Sequence, residues 1–148
     1  MNPSPGGYFN EPNAPVSSSP LEMQRYLSKI SGPLLDRIDI HIEVTPVPFE
    51  KLTETRKAES SVVIRERVSK ARQLQSIRFE SYENIHYNAQ MGSKQIREFC
   101  KLDENSLQLL KTAMERLNLS ARAYDRILKV ARTIADLEAC EAVMSNHI

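Results

Sequence analysis

Proline disappears from this chain after residue 48, and most of the structural punctuation goes with it. All 8 prolines fall between Pro3 and Pro48, and residues 49–148 hold one glycine, Gly92. Those last residues are therefore free to be helix. Cysteine is scarce too. Cys100 and Cys140 are the two in 148 residues, which excludes a disulfide scaffold and a four-thiolate metal site. A reduced, cytoplasmic setting is the expectation. Charge of either sign lacks an excess: 20 Lys and Arg face 19 Asp and Glu, which excludes a strongly basic nucleic-acid arm and an acidic tail. No apolar run approaches the ~18 residues that span a bilayer, and the start lacks the apolar stretch of a signal peptide. No membrane partner is expected. Phosphate loops of the form GxxxxGKS/T are absent, as are GxGxxG, HExxH, GxSxG and paired CxxC, so no metal, dinucleotide or acyl-transfer site can be argued.

What is present begins with a polar lead. The first 20 residues carry one charge, Glu11, and too little apolar surface to offset ordering entropy, so residues 1–18 are expected to be loop or disorder. Ser19-Pro20-Leu21-Glu22 is a helix start with a capping box. Met23, Tyr26, Leu27 and Ile30 follow at i, i+3, i+4, i+7, and Gly32 is expected to end that helix. Pro33 can open a short turn through Arg37. Ile38–Val44 alternates strictly, with β-branched residues on one face and Asp39, His41 and Glu43 on the other, which predicts a strand. A lone strand leaves its backbone groups unpaired. Its sheet is therefore expected either from another copy or outside this chain, and we read the segment as part of a longer protein.

The remainder reads as a mainly α, four-helix bundle. The first helix covers 60–79, capped by Ser60 or Ser61, with Ile64, Val68 and Ala71 on one face. A loop over Ser81–Gly92 precedes a short helix capped by Ser93 and bearing Ile96, Phe99 and Cys100. Asp103 caps the next, where Leu107, Leu110, Met114 and Leu117 recur at helical spacing. Ser120 caps the longest, Ala121 to about Ala139, with Tyr124, Ile127, Leu128, Ala131, Ile134 and Ala135 as its apolar stripe. Arg122, Arg126 and Lys129 lie on its opposite side. Cys100 reads as a small core residue and His41 as solvated. Arg65, Arg67, Lys70, Arg72 and Arg78 could contact phosphates, but Glu66 dilutes them and no aromatic interleaving supports base stacking, which favours a solvated face.

Four stretches together resemble the C-terminal part of the magnesium-chelatase-like AAA+ ATPases. They are Met1-Asn2-Pro3 with Gly7-Tyr8, Ser31-Gly-Pro-Leu-Leu-Asp-Arg-Ile-Asp39, Asn88-Ala-Gln-Met91, and the long run from Leu119 to Leu137. The last is similar to the bacterial branch that includes the competence-associated branch-migration helicase.

The resemblance implies two parts. Residues 1–48 would be the end of an α/β nucleotide-binding core, with Ile38–Val44 as its last strand, and residues 49–148 a helical lid. It implies a role for Asn2 like that of sensor 1, which orients the attacking water. Arg37 resembles an arginine finger reaching a neighbouring subunit's nucleotide, and Arg122 resembles sensor 2, the lid arginine at the γ-phosphate. The full protein would use ATP and Mg2+ in a homo-oligomeric ring, expected as a hexamer, with DNA as a partner. This segment, lacking the phosphate loop, would hold neither tightly nor hydrolyse ATP alone. One departure stands out. Family members carry four cysteines in the lead, suited to zinc, and the matching positions here are Ser4, Gly6, Val16 and Ser18. None offers a thiolate, so no zinc site is expected. Two other readings remain beside this one: an autonomous nucleic-acid-binding module using the 65–78 helix, and a protein-interaction bundle.

Overall fold

The computed structural model describes residues 19–35, 37–42, 47 and 58–148. The chain divides into two units, Met1–His41 and Ile42–Ile148. In the first, α1 (Pro20–Leu27) starts as the sequence predicts. The Ser19 backbone N–H donates to Glu22 Oε2 at 2.9 Å, and Glu22 N–H donates to Ser19 Oγ at 3.3 Å. The helix stops earlier than predicted, however. Ser28 caps it, its hydroxyl donating to the Arg25 carbonyl at 2.9 Å, and such a side-chain bond competes with continued helix. Gly32 does not terminate α1 but opens α2 (Gly32–Leu35).

The predicted strand is not formed over its described part. Residues 38–42 join no ladder, and Ile38, Ile40 and Ile42 are 46%, 65% and 81% exposed. Asp39 sits in a bend, and the His41 ring reaches back to the Ile38 carbonyl at 3.2 Å. Alternation makes a strand possible; only a paired neighbour satisfies its backbone, and among the described residues none is offered. Glu43 and Val44 lie outside the described residues.

The second unit is helical, as expected. Its elements are α3 (Ser61–Arg78), a 3-10 turn at Asn88–Gln90, α4 (Ser93–Phe99), α5 (Glu104–Arg116), α6 (Ala121–Leu137) and a 3-10 turn at Ser145–His147. The predicted caps Ser60, Asp103 and Ser120 accept from Val63, Ser106 and Ala123 N–H at 3.5, 2.9 and 3.2 Å. The fourth differs: Gly92 is the N-cap of α4, and the Ser93 hydroxyl donates to Asp125 at 3.4 Å instead.

Helix α6 is the axis of this unit, packing against α3, α4 and both 3-10 turns. Leu128, Ala131 and Ala135 of its stripe are buried, with Tyr124 and Ile127 half-buried at the edge. The main core joins Leu128 to Phe79, Met91, Ile96, Cys100 and Leu110. Phe79, Tyr82 and Phe99 meet edge to face at 5.6–6.2 Å, the arrangement aromatic quadrupoles favour. That trio folds the 79–92 loop under the helices. Other predicted core positions stay outside: Leu107 and Leu117 are exposed, and so are Ile64 and Val68, because α6 covers the C-terminal half of α3, where Ala71 and Gln75 are buried.

Helix α6 ends in a tight left-handed cap rather than running to Ala139. Cys140 N–H bonds the Ala135 carbonyl at 2.8 Å, Ala139 N–H bonds the Asp136 carbonyl at 3.2 Å, and Ala139 has φ 55°. This is the paired 6→1 and 5→2 pattern of a Schellman cap. The chain then folds back so that Leu102 and Val143 form a parallel bridge.

Candidate functional site

The most organised polar constellation lies where α3, the 88–91 loop and the C-terminal half of α6 meet. Asp136, with its side chain closed from solvent, receives both terminal nitrogens of Arg78. It also accepts from Arg132 Nε at 3.2 Å and from Asn88 Nδ2 at 2.8 Å. Asn88 is 1% exposed and has no idle polar atom. Its N–H donates to Gln75 Oε1 at 3.2 Å, its Oδ1 accepts from Arg78 at 2.8 Å, and its Nδ2 also donates to Thr133 at 3.1 Å. Lys129 adds a bond from the same face of α6 to the Ala89 carbonyl at 3.0 Å. Arg132 completes the lock by donating to the carbonyls of Glu141 and Cys140 at 2.6 and 2.5 Å.

The electrostatics follow from that geometry. Burial pushes the Asp136 carboxyl up, but the bonds from Arg78 and Asn88 and the charges of Arg78 and Arg132 outweigh it and hold it below the usual range. Two guanidinium groups on one carboxylate leave an excess positive charge, which the backbone carbonyls at 140 and 141 help to solvate. Cys100 nearby is in the opposite state. Burial pushes its thiol up to about 11 against the pull of Arg132 and Arg78, so it is an inert core residue at the C-cap of α4, as the sequence predicts.

Sequence reasoning put Arg78 and Lys129 among solvated cations; both are tied into this network. It passed over Asn88, Arg132 and Asp136 as site residues. A usable signal existed for Arg132, which stands four residues after Leu128 and three before Ala135, inside the apolar stripe.

Of the predicted site residues, Asn2 lies outside the described residues. Arg37 is exposed in the turn after α2, its N–H bonded to the Leu34 carbonyl at 3.0 Å. Arg122 is exposed in the first turn of α6, at the opposite end from Asp136. Arg37 and Arg122 fall in different units. Beside the α6 start, Tyr124 and Asp125 line a cleft of about 650 Å3 whose floor is Ile96, Cys100 and Leu128 and whose rim carries Ser93, Arg97 and Lys101. On α3, Arg72 stacks over the exposed Tyr87 ring at 4.0 Å, an aromatic partner that the linear pattern did not reveal.

One group has donors that suit a metal: Glu138, Cys140 and His147, with ligand atoms within 4.8 Å of one another. Its hydrogen bonds do not fit one. His147 Nδ1 accepts from Met144 N–H at 2.9 Å, so the ring proton sits on Nε2, which lies 3.0 Å from Glu138 Oε2. The lone pair a metal needs is already engaged. No helix among the described residues is long and apolar enough to cross a membrane.

Similarity to known proteins matches this architecture. The family model described as "Magnesium chelatase, subunit ChlI C-terminal" matches residues 58–148, and that described as "Magnesium chelatase, subunit ChlI" matches residues 1–52. The chain is 41% identical over its whole length to competence protein ComM of Haemophilus influenzae, and 38% identical over its whole length to the uncharacterized protein YifB of Escherichia coli. It spans 28% of the length of each. An uncharacterized protein of Mycobacterium tuberculosis is 33% identical over 77% of the chain, which spans 22% of it. The chain therefore belongs to the magnesium chelatase ChlI-like family of AAA+ ATPase-like proteins, in a group with ComM and YifB.

Proposed function

We propose that this segment supplies the lid and the arginine finger of a ring-forming ATPase that couples ATP turnover to remodelling of DNA. The observation that carries the reading is the setting of Arg122. It stands in the exposed first turn of a capped 17-residue helix, where the helix dipole already favours an anion. A guanidinium there matches phosphate oxygens in pairs. Arg37, exposed on a short turn held by the Leu34 carbonyl, is the counterpart that would reach a neighbouring subunit's nucleotide. Its role is to balance charge spread over the γ-phosphate oxygens in the transition state, where such fingers are worth about 10³–10⁵ in rate. Asn2 would orient the attacking water. Mg2+ would arrive with ATP, held by the phosphates and one or two carboxylates, and none of the described residues is assigned to it.

The resemblance of Leu119–Leu137 to the branch-migration group, in a chain 41% identical to a competence protein, favours DNA over a metal-insertion partner as the thing remodelled. The exposed cations Arg65, Lys70 and Arg72 on α3, the last paired with Tyr87, would serve as the DNA contact. The test uses the full-length protein. Arg37→Ala should cut ATP turnover by about 10³-fold and leave ATP binding within a few-fold. Turnover near the parent rate would remove the finger assignment. Replacing Arg65, Lys70 and Arg72 together should weaken DNA binding and flatten its salt dependence. An unchanged salt slope would remove α3 from the DNA path while leaving the ATPase reading intact.

A further inference from the structure

Asn88 sits at the junction of two helices that are also tied directly by the Arg78–Asp136 ion pair, and it bonds both members of that pair. Through Gln75 and Arg78 it holds α3; through Thr133 and Asp136 it holds α6. Each bond is directional, and the set fixes the amide orientation, because the oxygen must face the Arg78 donor and the nitrogen the Asp136 carboxylate. An apolar cluster of the same volume could hold the two helices together equally well. It would not fix their register to one arrangement, since apolar contacts are non-directional.

The register matters because of where α6 leads. Thr133 and Asp136 are 11 and 14 positions from Arg122, or about 16–21 Å along the helix. Turning α6 by 10° about the Asn88 contact would sweep its first turn by roughly 3 Å at that radius. Displacements of about 1 Å already cost about 100-fold when a charged group must meet a transition state. Lys129, bonded to the Ala89 carbonyl, lies between the pivot and the arginine and stiffens the same lever.

We propose that Asn88 is a positioning residue: clamped between α3 and α6, it sets the direction in which α6 presents Arg122. This rests on the reading of Arg122 as the phosphate-contacting lid arginine.

A double-mutant cycle in the full-length ATPase tests it, with kcat for ATP as the readout. Asn88→Ala should lower kcat about 10-fold or more. In an Arg122→Ala background the same change should alter kcat by less than about 2-fold, because its effect runs through the missing arginine. Lys129→Met, which deletes a bond nearer the surface, repeats the cycle should Asn88→Ala fail to fold, with a smaller loss expected in the parent and again none in the Arg122→Ala background. Equal losses in both backgrounds would mean that the clamp acts on stability alone, and no loss in the parent would mean that it does not aim α6; either overturns the proposal. If Arg122→Ala itself leaves turnover unchanged, the reading of the lid arginine fails, and the proposal fails with it for that separate reason.

Discussion

Asn88 and Asp136 stand 48 positions apart in the chain, yet an amide nitrogen of one donates to a carboxylate oxygen of the other at 2.8 Å, with both residues closed from solvent. The bond closes a loop of sequence onto α6, the helix that organises the second unit. Both residues belong to stretches that resemble the chelatase-like family, and neither has the exposure that a substrate contact would need. Their chemistry is internal: they specify how one helix lies on another.

Removing the acid should therefore be expensive. Asp136→Ala leaves Arg78 and Arg132 facing each other with their shared counter-charge gone. A buried charge left unpaired in this way costs about 3–5 kcal/mol. Urea unfolding of the chain, followed by circular dichroism, should show the midpoint fall sharply with an unchanged slope. A loss below about 1 kcal/mol, the size of an ordinary surface ion pair, would show that water reaches the site.

The same carboxylate predicts a pH dependence with a definite sign. Its folded pKa is depressed, so the stability it contributes is fully present above the ordinary carboxylate value of about 3.9. That contribution is lost as pH falls through the lower folded value, because the unfolded state takes up the proton first. The stability gap between the parent and Asp136→Asn should hold constant from pH 7 to 5 and shrink only below about pH 4. A gap that already closes near pH 6 would mean that the carboxyl is not held down in the folded state.

At the end of α6, Ala139 adopts φ 55° to complete the Schellman cap. An L-residue with a Cβ is disfavoured there by about 1–2 kcal/mol, a cost glycine avoids. Glycine gives back part of that gain through its looser unfolded chain. Ala139→Gly should still stabilise the chain by about 0.5–1 kcal/mol, seen as a rise in thermal midpoint. No rise would show that the surrounding bonds from Arg132 already offset the strain.

What the sequence made legible, and what it hid, divides along one physical line. Features set by neighbours in the chain were readable. Ser19, Ser60, Asp103 and Ser120 cap where their side chains predict, and the α6 stripe through Leu128, Ala131 and Ala135 is buried as its spacing requires. Features set by what covers a surface were not. Ile64 and Val68 share a face with buried Ala71 but lie beyond the reach of α6, and Leu107 and Leu117 sit at helical spacing yet face outward. Residues 38–42 have the right alternation for a strand but join no ladder among the described residues. The Asn88–Asp136 clamp was the hardest to foresee, because its members come from three separate elements and each alone reads as a solvent-facing polar residue. The expected roles of Arg37 and Arg122 came from family resemblance, with exposure as the physical property they share.

The two cysteines should behave as different chemical species. Cys100 is 4% exposed, and burial raises its thiol to about 11, so at pH 8 it holds almost no thiolate and offers no path for a reagent. Cys140 is half-exposed just past the α6 cap, its sulfur within 3.8 Å of the Glu138 carbonyl. Titrating the native chain with a thiol-specific disulfide reagent should therefore release one equivalent quickly and the second only on unfolding. Because the folded Cys100 pKa lies above its unfolded value, the stability that its neutral form contributes is complete below about pH 8.5 and is lost as pH rises toward 11. Cys140→Ser should abolish the fast equivalent and leave the slow one. A fast phase that survives Cys140→Ser would place Cys100 in reach of solvent and contradict the packing of α4 against α6.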